Sequence, residues 1–179
     1  MHFMRSLYRN KIVEEGFQVR RMQYDSNYEK IRVRQIFRDK FAKDKSINLK
    51  SISSDSSEYY EKVLKQDDVF TRYSAYTITG DSIAYAADSV TAALSFPNLL
   101  HVTYRNGVEE EGYLQNVLHT TRKAKAPSST LAINGDNIIL VLQNGYYYKG
   151  LNLINGGYWA WYDKISNMLP YDYELPISK

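Results

Sequence analysis

Residues 130–156 read TLAINGDNIILVLQNGYYYKGLNLING, and the reading of this stretch decides the fold class. It contains Asn134-Gly135, Asn144-Gly145 and Asn155-Gly156, and a fourth copy, Asn106-Gly107, lies upstream. Asn-Gly suits the two-residue type I′ hairpin turn, because both central residues there need positive φ. The flanking Val, Ile, Leu and Tyr favour strands. Serial hairpins are therefore expected, with strands at 99–105, 108–118, 130–133, 137–143, 146–153 and 158–162. Tight turns join them except at the basic loop TTRKAKAPSS, residues 120–129. The segments share turn chemistry but no residue pattern of fixed period, which argues against a propeller or solenoid.

Working towards the N-terminus, VFTRYSAYTI at 69–78 is rich in β-formers, and Gly80-Asp81 is expected to reverse it into a partner strand at 82–86. Residues 86–95 read equally as a helix stopped by Pro97 or as a strand. Further upstream the period becomes helical. Ser26 and Glu29 have capping-box spacing, followed by the apolar positions Tyr28, Ile31, Val33, Ile36, Phe37 and Phe41, which predicts a helix over 26–43. Asp55 and Glu58 open a second helix over 56–66. The serine-rich connector between them has room for a short strand at Ile47 and Leu49. Residues 4–15 suit another helix, ended by Gly16 as a C-terminal cap.

The expected class is therefore α+β: basic N-terminal helices, then an antiparallel β meander or a small barrel or sandwich joined by Asn-Gly hairpins. Two regions are expected within one compact unit, 1–66 helical and basic, and 67–179 antiparallel β with an extended C-terminal tail.

The chain has 179 residues, enough for a real core in one domain. It has no cysteine, which removes disulfides, thiolate catalysis and sulfur-based zinc sites. No apolar run reaches the roughly 18 residues of a membrane span, and the opening MHFMRSLYRN lacks the apolar core of a secretory signal. A cytoplasmic or virion location is expected, with no membrane partner. Charge is uneven: residues 1–50 hold 13 Lys/Arg against 6 Asp/Glu, and the remainder is mildly acidic within an overall +3.

Chemistry-bearing motifs are sparse. P-loop, dinucleotide-binding and nucleophile-elbow patterns are lacking. His2, His101 and His119 have no metal-ligand spacing, although His101 and His119 would face each other across a 99–118 hairpin. Glu109, Glu110 and Glu111 read as a solvated hairpin end. No catalytic, cofactor or metal residue is assigned.

Candidate partner-binding residues fall into two sets. Arg32, Arg34 and Arg38 on the first long helix, with Arg20-Arg21 and the loop residues Arg122, Lys123 and Lys125, form a basic set suited to phosphates. Tyrosine is the compositional outlier, 17 of 25 aromatic residues. Its rigid apolar ring and polar tip suit surfaces that are both adhesive and wettable. Tyr146, Tyr148, Trp159, Trp161, Tyr171 and Tyr173 are the aromatic candidates. On a strand, Trp159 and Trp161 would share one face. Beyond Pro170 the chain is expected to be extended and to lie along a neighbouring subunit.

Together these features point to a non-enzymatic structural or assembly subunit of a larger complex, forming homo- or hetero-oligomers with other protein subunits. A component of a virus or phage particle, such as a connector, collar or tail piece, fits the tyrosine and asparagine richness. The alternative is a nucleic-acid-binding or host-targeting regulator that uses the basic front. The third reading is an enzyme whose site is assembled from dispersed residues around His101, His119 and the glutamates.

Overall fold

A computed structural model describes residues 2–43, 54–135 and 138–162. The expected strand at Ile47 and Leu49, the extended segment after Pro170, Tyr171 and Tyr173 lie outside the described residues. The chain is mixed α+β with antiparallel sheets and no closed barrel among the described residues. It divides into two units, residues 1–22 with 73–179, and residues 23–72.

The larger unit begins with α1 (His2–Tyr8), which buries Phe3, Met4 and Leu7 at helical spacing. The helix stops short of Gly16. Asn10 adopts φ 51°, Lys11 N–H reaches the Ser6 carbonyl and Asn10 N–H that of Leu7, a Schellman cap with asparagine in the left-handed position. A single turn follows and is capped the same way at Gly16, φ 88°, by Phe17 to Ile12 and Gly16 to Val13 bonds. The expected cap is present, but the expected helix is cut in two.

Next, β1 (Phe17–Ser26) pairs antiparallel with β5 (Leu99–Tyr104), placing Val19 opposite Val102. In turn β5 pairs with β6 (Ser128–Ile133), with Leu100 opposite Leu131, and β6 pairs with β8 (Leu153–Gly157). With β2 (Val69–Tyr73) at the edge, the five-stranded order is β2-β1-β5-β6-β8. A three-stranded sheet orders β3 (Ala84–Ala86), β4 (Thr91–Leu94) and β7 (Ile139–Leu142) as β3-β4-β7. Val19, Leu100, Val102 and Leu131 meet Leu94, Ile139 and Val141 in one core. Because β7 leaves for the second sheet between β6 and β8, the arrangement is not a simple meander. Residues 86–95 resolve in favour of a strand, β4.

Several expected strands are corrected. Segments 69–78 and 82–86 do not form a hairpin: β2 joins β1, Ile78 N–H bonds the Val19 carbonyl, and Gly80–Ser82 is a 3-10 turn. A Cβ on Gly80 would sit 2.4 Å from the Asn10 side-chain oxygen, so this glycine serves close packing rather than chain reversal. Residues 108–118 contain α4 (Glu111–Asn116), which buries Tyr113 and Leu114. Of the strand expected over 146–153, residues 146–152 form only a bridge from Tyr147 to Val141 and a 3-10 turn at Gly150–Asn152, and Leu153 opens β8. Residues 158–162 are α5 (Tyr158–Tyr162), entered through Gly157 at φ 71° with Trp159 N–H donating to Ser129 Oγ. None of the four Asn-Gly asparagines has positive φ, so no type I′ turn forms. Of the four, Asn144-Gly145 closes a local hairpin, while Asn155-Gly156 lies inside β8.

In the smaller unit, α2 (Tyr28–Lys43) and α3 (Ser54–Lys65) pack with Phe37 edge-on to Tyr60 and with Val33 and Val63 buried. The cap of α2 is Asn27, one residue later than expected. Its Oδ1 accepts from Lys30 N–H, and its Nδ2 donates to Gln66 Oε1 and the Asp67 carbonyl.

Candidate functional site

Of the basic candidates, Arg32, Arg34 and Arg122 are engaged with carboxylates. Arg32 binds Glu29 one turn earlier, with Arg32 Nε to Glu29 Oε2 at 2.9 Å. Tyr59 OH donates to the same carboxylate at 2.7 Å. These bonds, the one from Arg32 first, hold Glu29 at a pKa of about 2. Arg34 and Lys30 both meet Asp68, at 2.9 and 2.7 Å, and Arg72 meets Asp25 at 2.7 Å. Arg38 is exposed on α2.

In the larger unit, Arg122 grips Glu109 through both terminal nitrogens at 2.7 and 2.9 Å. Lys125 N–H adds a third bond to that carboxylate at 3.0 Å. Glu109 is buried rather than solvated at a hairpin end, and its pKa is lowered, chiefly by the bond from Arg122. Lys123 and Lys125 are exposed. The loop is thus pinned internally through its arginine while its two lysines face outward.

The histidines lie on separate elements. His2 bonds Glu15 at 2.9 Å, and His119 is exposed beyond α4 with Nδ1 3.1 Å from the Gln115 carbonyl oxygen. The expected pairing of His101 with His119 across a hairpin falls with that hairpin. His101 instead lines a shallow groove of about 210 Å³ with Gln18, Arg20, Tyr73 and Thr103. Tyr73 stands edge-on to its ring at 5.0 Å. Burial first, and then the Arg20 charge, depress the His101 pKa. Arg20 Nε is shut away from water with no hydrogen-bond partner among the described residues. The groove lining includes none of the three glutamates Glu109–Glu111, and no metal-type cluster of His, Asp and Glu occurs among the described residues.

The aromatic candidates separate into interior and surface groups. Trp159 is partly buried against Phe3, ring centres 5.3 Å apart. Trp161 contacts Tyr113 and Tyr158. On a helix, residues two apart diverge, so the two tryptophans form no shared platform. Tyr158 stacks on Tyr162 at the i, i+4 spacing that a strand could not provide. Tyr146 and Tyr148 are exposed and edge-on to each other at 5.5 Å. Just beyond them stand Leu151, 98% exposed, and Ile154.

Other exposed apolar side chains were not singled out by the sequence reading. Tyr76 is 83% exposed in the larger unit, and Tyr28 is 77% exposed in the smaller one. Every residue of β2 is exposed, Val69 and Phe70 included. The available signal was the run Val69-Phe70, which puts consecutive apolar residues on opposite faces of a strand. No helix among the described residues is long and apolar enough to cross a membrane. No known protein family, no curated protein and no solved structure matches the chain.

Proposed function

We propose that this chain is a non-enzymatic docking subunit of a larger protein assembly, built to be covered by other protein surfaces. One contrast carries the reading: Arg32, Arg34, Arg72 and Arg122 are engaged with carboxylates of the same chain, whereas Tyr28, Tyr76, Tyr148 and Leu151 project into solvent. An electrostatic nucleic-acid surface needs uncommitted cations, while a protein interface is enriched in aromatic side chains and depleted of lysine and aspartate at its centre. The segment 146–154, with Tyr146, Tyr148, Leu151 and Ile154, is the main contact surface of this reading. Membership of a virus or phage particle rests on composition alone. Nucleic-acid binding, the rival, would use Arg38, Lys123 and Lys125.

Replacing Tyr146, Tyr148 and Leu151 together by serine tests the proposal. Substituting exposed side chains shifts stability by about 0.5 kcal/mol or less per site. The variant is expected to melt near the wild type yet to leave the high-mass fraction in size-exclusion chromatography with light scattering of the native extract. A wild-type chain that runs as a strict monomer in that extract, with no large partner, overturns the proposal.

A further inference from the structure

We infer that β2 is a self-pairing edge: two copies of this chain join β2 to β2 in antiparallel register about a two-fold axis at Thr71. The inference deepens the docking reading, on which it rests, by naming one partner.

The register of β2 against β1 follows from its two ends. Asn27 N–H donates to the Asp68 carbonyl at 2.9 Å, and Ser74 N–H donates to the Arg21 carbonyl at 2.8 Å. Both pairs fit one unbroken antiparallel register. In such a ladder, alternate residues turn their N–H and C=O groups to the neighbour and the others turn theirs away. Phe70 and Arg72 therefore bond to β1, and Val69, Thr71 and Tyr73 direct their backbone groups to the outside of the sheet. As the terminal strand of the order β2-β1-β5-β6-β8, β2 has no further strand on that side among the described residues.

Arg72 is the one charged residue in Val69–Tyr73, and it is paired with Asp25 of the same chain. The strand holds no proline, no lysine and no bulge, and all five residues are exposed. The sequence is also self-complementary about Thr71. Antiparallel pairing there sets Val69 opposite Tyr73 of the second copy and Thr71 opposite Thr71, with all three outward-facing residues of each strand bonded. Phe70 then lies opposite Arg72 in the closer, non-hydrogen-bonded position, where a guanidinium can rest on an aromatic ring. No like charges oppose each other. Pairing about Phe70 instead would use only Val69 and Thr71 of the outward set, so the Thr71 axis is the better register. The contact is small, and the dimer it makes is concentration-dependent rather than obligate.

Sedimentation equilibrium of the purified full chain across a concentration series tests this with three variants. Thr71→Pro removes an outward N–H that β1 does not use, so the native sheet tolerates it at an edge. Its dimer is expected to dissociate about tenfold or more readily than that of the wild type. Phe70→Lys opposes Arg72 of the second copy with a like charge and yields monomer, whereas Phe70→Glu opposes it with an opposite charge and stays dimeric. Circular dichroism melting checks that each variant is folded. Should Thr71→Pro misfold, the Phe70→Lys and Phe70→Glu comparison decides alone. A wild type that is monomeric at about 1 mM, the weak limit of specific association, or equal dimerisation of the lysine and glutamate variants, overturns the inference. A monomer that still enters a larger assembly with another protein ends β2 pairing and leaves the docking reading standing.

Discussion

Glu109 shows what one residue does when its partner arrives from a distant loop. Its carboxylate is buried and accepts three bonds, two from Arg122 and one from Lys125 N–H, while its own N–H returns to the Lys125 carbonyl. Loop 120–127 is thereby tied to the start of α4. Arg122→Ala leaves the buried carboxylate without its charge partner and is expected to destabilise the fold. Glu109→Gln keeps the shape and costs less. Because the folded pKa of Glu109 lies below its unfolded value, the bound carboxylate stabilises fully above the unfolded value, near 4.5, and loses its contribution as pH falls through the folded one. The stability gap between wild type and Glu109→Gln in urea unfolding is thus largest at neutral pH and closes in acid. A gap that widens on acidification contradicts the ion pair.

At the level of elements, local signals were legible and distant pairings were not. Both long helices follow from spacing and acidic starts, and α2 and α3 lie within two residues of the expected spans. The cap of α2 shows the limit. Ser26 matched the capping-box pattern, yet Asn27 takes the position, because its side chain also bonds Gln66 and the Asp67 carbonyl some forty residues away. Asn27→Ala removes three hydrogen bonds at a buried site and is expected to lower stability by about 2 kcal/mol. Ser26→Ala, at an exposed strand end, is expected to cost less than about 0.5 kcal/mol. Equal losses in thermal melts of the two variants return the cap to Ser26. The β misreadings have the same origin. Residues 108–118 alternate well enough for a strand, but the Arg122–Glu109 pair and burial of Tyr113 favour a helix. Residues 158–162 carry strand-favouring aromatics, but helical spacing lets Tyr158 meet both Trp161 and Tyr162. In both segments tertiary contacts outweigh propensity.

For the whole molecule, net charge and composition located the question without locating the surface. The basic front suggested phosphate contact; Glu29, read only as part of a capping box, also stands at i, i+3 spacing from Arg32 and forms an ion pair that neutralises part of that front. The pairs Arg34–Asp68, Arg72–Asp25 and Arg122–Glu109 join residues far apart in sequence and needed the fold to appear. The tyrosine excess was visible at once, but which tyrosines are exposed depends on the fold: Tyr146 and Tyr148 on segment 146–154 and Tyr73 on β2, but also Tyr28 on α2 and Tyr76 beyond β2. Physical chemistry then separates the two kinds of partner. Contacts made by exposed rings and strand edges are hydrophobic and backbone-mediated, and excluded salts strengthen the hydrophobic share. Contacts made by lysine and arginine on phosphate weaken steeply as counterions are added. Association of this chain, followed as weight-average mass by sedimentation from about 0.05 to 1 M salt, where screening shortens from more than 10 Å to about 3 Å, is expected to hold steady or to rise. A fall of about a hundredfold or more in association constant over that range would instead assign the surface to Arg38, Lys123 and Lys125 and to a polyanionic partner.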